Sequence, residues 1–176
     1  MKKVILTTVF LFTSMVIFAQ SAQKDDKIIE DSKEAKAEFL EDDLDMQELF
    51  SSSHAYIILP NVGKGGLGIG GASGNGVAYE DGEMIGFARM TQLTIGFQAG
   101  GQVYSEVVFF EDKKAFDRFR ENKIEMSAQV SAVAAASGAS LNAKYVDGVA
   151  VFTRTKGGLM YEASVGGQQF KFRSKD

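Results

Sequence analysis

The sequence predicts an α+β protein: an antiparallel β-rich body, sandwich or barrel-like, with an N-terminal amphipathic helix and one short internal helix. Three observations predict it. Apolar residues alternate with period two from Pro60 onward, the signature of strands with one face buried. Residues 24–50 instead space their apolar groups at helical intervals and contain no Gly or Pro. Asp81-Gly82 joins two of the alternating runs, and that dipeptide is a strong signal for a two-residue hairpin.

The elements follow in order. "MKKVILTTVFLFTSMVIFAQ" has Lys2 and Lys3, an apolar stretch from Val4 to Phe18, and the small residue Ala19. That is the layout of a signal peptide cleaved after Ala19, and the apolar run is short of the roughly 20 residues a spanning helix needs. Residues 1–19 are therefore read as a signal peptide, 20–50 as an acidic helical arm and 51–176 as the β-rich body, with residues 30–50 belonging to the same domain as the body. In the arm, Ile28, Ala35, Phe39, Met46 and Leu49 or Phe50 follow one helical face. "EDDLD" at 41–45 interrupts it, and Asp45 is expected to cap a second short helix.

In the body, "GLGIGG" sets Gly66, Gly68 and Gly70 on one side of a strand and Leu67 and Ile69 on the other. "LTIGFQAGGQVYSEVVFF" alternates Leu93, Ile95, Phe97 and Ala99, then allows a bend or bulge at Gly100-Gly101. "EDKKAFDRFREN" reads as a short helix capped by Asp112, with Phe116 and Phe119 turned inward. "EMSAQVSAVAAASGAS" alternates as a strand does, although its alanines keep a helix in competition. The last run, "GVAVFTRTKGGLMYEASVGGQQFKFR", is three strands turning at Gly157-Gly158 and Gly166-Gly167.

Val62 to Gly76 contains eight glycines in fifteen positions. Gly63, Gly65 and Gly68 spell G-x-G-x-x-G after the strand-like "AYIILP". A dinucleotide fingerprint needs a helix next, to hold the pyrophosphate at its N-terminus. "IGGASGNGVAYE" continues as a strand, so no nucleotide is expected. Each strand glycine is destabilising by roughly 0.5–1 kcal/mol relative to alanine. The usual compensation is close approach of another backbone, a helix or a ligand to the bare face.

Catalytic and metal chemistry have no support. There is no cysteine and one histidine, His54, which is assigned a capping or packing role. No serine has an evident base, and clustered carboxylates occur only in the arm, where solvation explains them. Cofactors and metal are expected to be absent. The whole chain carries a net charge of −4. Residues 24–50 hold eleven acids against four lysines, whereas residues 51–176 hold thirteen bases against twelve acids. An acidic arm on a nearly neutral body argues against nucleic acid. The remaining charged feature is basic: Arg154 and Lys156 end one strand, and Lys171, Arg173 and Lys175 end the last. Paired as a meander, these strands would set Lys171 and Arg173 on one face with Arg154 near. That face is either a solvated, aggregation-blocking edge or an anion site for a lipid headgroup.

The ordered blocks "AYIILPNVGKGGLGIGGASGNGVAY", "GFARMTQLTIGFQAGGQVYSEVVFF", "KAFDRF" and "FTRTKGGLMYEASVGGQQFKF" resemble the SYLF domain family over roughly residues 30 to 172. The resemblance implies a non-enzymatic domain associated with phospholipid and, in some eukaryotic members, with actin. It also implies Lys64 in "VGKGG" and Lys156 in "TKGG" as polar contacts. The candidate lipid-binding residues are thus Lys64, Gly66, Gly68, Gly70, Arg154, Lys156, Lys171 and Arg173. The expected role is peripheral phospholipid or amphiphile binding by a periplasmic or secreted protein of the bacterial envelope. The alternative is an envelope protein-interaction or structural module, with the glycine face packed on the protein's own N-terminal helix.

Overall fold

The computed structural model describes residues 23–41, 44–121, 125–126, 145–155, 158–160 and 167–175, with backbone alone at 44–45, 66–69, 94–100, 125–126 and 158–160. The proposed signal peptide, the alanine-rich 127–144 stretch, Lys156, and Gly157 and Gly166 of the two expected turns lie outside the described residues. Helix α1 spans 23–41 and helix α2 spans Leu44–Ser52. Two long strands follow, β1 (Ala55–Glu80) and β2 (Glu83–Phe110), of 26 and 28 residues. Helix α3 (Lys113–Arg120) leads to β3 (Glu125–Met126), β4 (Val149–Thr155), β5 (Gly158–Met160) and β6 (Gln168–Ser174).

The fold is built on one long hairpin. Asp81 and Gly82 take φ values of 51° and 81°, the left-handed pair of a type I′ turn, which matches the right-handed twist of the flanking strands. From there β1 and β2 pair antiparallel all the way to Ala55 and Phe110. On its other edge β2 is shared. Gly86–Gln92 pairs with β6, and Ser105–Phe110 pairs with β4. The sheet order is β3-β6-β2-β4-β5, with β1 on the opposite edge of β2. The final strands are therefore not a meander: β6 pairs with the turn end of β2 and not with β4 or β5.

Glycine makes the hairpin bend. Gly65 faces Gly101, Gly66 faces Gly100 and Gly68 faces Gly96, with a register shift between Gly66 and Gly68. Side-chain-free residues on both strands let the ribbon kink at one level. Beyond the kink, β1 lies back across its own first half. A methyl group on Gly76 would sit 2.8 Å from the Ile58 carbonyl carbon and 3.0 Å from Leu59 Cα. Gly74 meets Val62 in the same way, at 2.9 Å from its Cγ2. The close partner of Gly74 and Gly76 is thus the first half of the same strand.

Two cores result. Ala55, Ile57 and Leu59 point toward Val62, Met90, Phe110, Phe116, Phe119 and Phe170. Tyr56 and Ile58 point the other way, to Ala35 and Phe39 of α1, Met46 and Leu49 of α2, and Phe109 and Phe152. That two-sided burial explains why "AYIIL" is a continuous apolar run. The arm therefore docks as its apolar spacing predicts. The second helix begins at Leu44, so Asp45 falls in its first turn, where an acid suits the helix dipole. Asp112 caps α3 as expected, accepting the Ala115 amide at 2.8 Å. Between the half-sheets, the Gln168 side-chain amide of β6 donates to the buried carboxylate of Glu106 at 3.1 Å. Among the described residues no helix is long and apolar enough to cross a membrane.

Candidate functional site

The fold disperses the residues singled out in the sequence. Lys64 is 7% exposed and sits opposite Gln102 in the hairpin, so it is an interior lysine. Gly66, Gly68 and Gly70 belong to the kink, facing Gly100, Gly96 and Thr94. Arg154, on β4, donates to Glu38 of α1 at 2.8 Å and lines a cleft with Asp31, Glu34 and Ser105. Lys171 and Arg173 sit on β6, at the other half-sheet. Arg154 therefore does not join them, because β6 pairs with β2 and not with β5.

Around Lys171 and Arg173 the fold assembles a basic cleft that the sequence reading missed in part. Strand register sets Lys171 opposite Arg89 and Arg173 opposite Phe87, and on the far side of β2 it sets Asn75 opposite Arg89. The first turn of α1 closes the cleft with Lys24 and Asp25, giving about 410 Å³ of space. Four bases and one acid line it. Arg173 is committed: its Nη2 donates to both Asp25 carboxylate oxygens at 2.9 Å, and its guanidinium lies 4.3 Å from the centre of the Phe87 ring. No acidic partner among the described residues engages Arg89, Lys171 or Lys24. Arg89 was recognisable only as the polar member of the alternating run "GFARM".

Apolar exposure is concentrated along the same strand. Leu93 is 77% exposed and Val103 58%, the two large apolar side chains most open to solvent among the described residues. Both belong to β2 and flank the glycine kink. Arg89, Thr91 and Leu93 are all exposed, and their spacing by two puts them on one face of the strand.

His54 takes a joining role. Its backbone links Phe110 and Asp81 at 3.0 Å each, and its Nε2 lies 3.2 Å from Glu80 Oε1. No group of three or more metal-ligating side chains occurs among the described residues. Burial and the nearby Glu111 charge push the Tyr145 hydroxyl up to about 12, and burial raises Tyr56 and Tyr79 as well. Lys36, desolvated and 2.8 Å from the Tyr56 hydroxyl, is lowered. These shifts belong to groups packed between the arm and the sheet and bring no acid–base pair into a cleft.

Residues 91–176 match the profile of the Ysc84 family, described as "Las17-binding protein actin regulator". Over those residues the chain is similar to this family. The SYLF resemblance is thereby shown for the C-terminal half of the stretch that carried it. Beta cell expansion factor A of Aeromonas veronii is 32% identical over 84 residues, a match that takes in 48% of this chain and 32% of that protein. The chain therefore aligns with about a third of that relative's length. The match supports an actin-regulator-like domain over residues 91–176. The family segment includes Leu93, Val103, Arg154, Lys171 and Arg173, whereas Arg89, Lys24 and the first half of the kink lie ahead of it.

Proposed function

We propose that this protein binds phospholipid or a similar amphiphile at a membrane surface, peripherally and without catalysis, in the envelope of a bacterium. The observation that carries the reading is the composition of one strand face. Leu93 offers an exposed apolar side chain, and Arg89 lies four residues away on the same face with Lys171 opposite it. At about 3.3 Å per residue the two ends are roughly 13 Å apart. An amphiphile presents the same sequence of chemistries, charge and then hydrocarbon. The similarity to the family supports the reading, and the signal-peptide layout of residues 1–19 supports an envelope location.

The test is vesicle flotation of the chain lacking residues 1–19. Partition onto vesicles that weakens with Leu93→Ser is expected. A protein that stays in the soluble fraction with both zwitterionic and phosphatidylglycerol-containing vesicles would sink the reading. A second reading, an envelope protein-interaction module, is favoured by the family's description as a protein-binding regulator, and it would then take precedence.

A further inference from the structure

We propose that the cleft between the first turn of α1 and strands β2 and β6 is a phosphate site for the headgroup of an anionic phospholipid. Arg89 and Lys171 are its anchors, and Asp25 is an internal competitor held on Arg173. The proposal rests on the lipid-binding reading and assigns the residues and headgroup charge that the reading leaves open.

The register is the first argument. Arg89 and Lys171 are directly opposed across an antiparallel pair, where Cβ atoms lie about 4.5–5.5 Å apart and like charges are destabilising. Neither has an acidic partner among the described residues, so nothing described relieves the repulsion. An anion bridging the two would. A phosphate also matches the donors present, since guanidinium forks and ammonium groups are its usual protein partners. Asn75 stands beside Arg89 on β1 and adds an amide.

The second argument is Asp25. A carboxylate already occupies the cleft and meets both its oxygens with one Arg173 nitrogen. The site thus attracts oxyanions, and its first occupant is the chain's own. Because the Asp25 carboxylate is one-quarter exposed and the Arg173 side chain 60% exposed, their contact is weak enough to exchange. A headgroup phosphate displacing Asp25 would gain Arg173 as a third base, with Lys24 beside it.

The third argument selects a lipid over a free anion. From the Arg89–Lys171 pair, the same strand face leads to Leu93. The roughly 13 Å between them exceeds the headgroup layer of about 5–8 Å per leaflet implied by bilayer dimensions. With the bases at phosphate depth and the strand pointing into the bilayer, Leu93 reaches hydrocarbon. A soluble phosphate would leave that side chain unused.

The experiment compares flotation of the chain lacking residues 1–19 on phosphatidylcholine vesicles and on vesicles also containing phosphatidylglycerol, at low salt. The variants are Arg89→Ala with Lys171→Ala, Asp25→Asn, and the charge-keeping exchange Arg89→Lys with Lys171→Arg. All lie on the surface, where folding is little affected. A base near an anionic surface is worth roughly a factor of five. The double alanine variant should therefore lose about 25-fold on anionic vesicles alone, the exchange should retain binding, and Asp25→Asn should bind more tightly. Preference for anionic vesicles that the double alanine variant leaves intact overturns the cleft while leaving lipid binding standing. Unchanged binding by Asp25→Asn removes its competitor role. Equal affinity for inorganic phosphate by titration calorimetry makes it a free-anion site and overturns the headgroup assignment. No flotation on any vesicle overturns both proposals.

Discussion

Arg173 and Asp25 meet across 148 residues of chain, with one guanidinium nitrogen 2.9 Å from both carboxylate oxygens. The contact ties the first turn of α1 to the last strand of the sheet. Half-exposed pairs of this kind contribute about 0.2–1 kcal/mol, so it fastens the arm only lightly. Asp25→Asn is expected to change the urea unfolding midpoint by no more than that. A large loss would show that the arm's docking depends on charge more than on its apolar face.

That apolar face is where the arm's attachment resides. Phe39 is fully buried among Ala35, Met46, Ile58 and Phe109. Phe39→Ala should destabilise by about 3–5 kcal/mol, and far-ultraviolet dichroism should show helix lost before strand. Simultaneous loss of both signals at the original midpoint would contradict the packing described for α1.

Gly76 tests the hairpin's fold-back. Its missing side chain is replaced by the Ile58 and Leu59 backbone, with Leu59 Cα 3.0 Å from where a methyl would sit. Backbone has no rotamer with which to yield, so even Gly76→Ala should destabilise by more than the ~1–3 kcal/mol typical of overpacking. Gly63, where the same addition meets nothing within 4 Å, provides the contrast. Gly63→Ala should leave the thermal midpoint nearly unchanged or slightly raise it, because alanine narrows the unfolded ensemble.

Alkaline pH should loosen the arm. Tyr145, pushed up to about 12 by burial and by Glu111, keeps its proton in the folded chain after an unfolded tyrosine near 10 has lost it. The folded state then binds more protons than the unfolded one, so stability falls as pH rises from about 10 to 12. Tyr56 and Tyr79, stacked 4.9 Å apart and both raised, act in the same direction. Tyr145→Phe should flatten part of that fall in urea midpoints measured from pH 9 to 12, and an unchanged slope would contradict the burial of its hydroxyl.

Asp112 offers a smaller and cleaner effect. Removing its cap on the Ala115 amide by Asp112→Ala should destabilise by about 1 kcal/mol, read as a modest drop in thermal midpoint without change in the strand signal.

What the sequence made legible was local. Asp81-Gly82, the Asp112 cap and the strand-like "AYIILP" run each depend on neighbours within a few positions. The same Asp-Gly signal recurs at Asp147-Gly148, with Asp147 at φ 53° and Gly148 at 76°. Partnership was illegible. Period-two alternation states which face a residue takes and is silent on which strand lies beside it, so β6 was paired with its sequence neighbours and Arg154 was grouped with Lys171. The fate of Lys64 was hidden for a related reason. A lysine in a glycine run looks solvent-facing until the ribbon folds over it. Arg89 went unnoticed because its basic companions are contributed by β6 and α1, far along the chain.

One strand serving two half-sheets has a consequence for how the molecule comes apart. The family segment begins at residue 91, inside β2, so it inherits 20 of that strand's 28 residues and none of β1. Severed there, the segment would carry an open row of amides and carbonyls along β2, a template for self-association. Nor is there a seam at which either half could detach. The Gln168–Glu106 hydrogen bond joins the halves across the interior, and β2 runs unbroken between them. Heating or denaturant should therefore dismantle the described architecture in one step, with signals from the Tyr56 side and the Phe119 side disappearing together. On this architecture the autonomous folding unit should be larger than the stretch matched by the family profile.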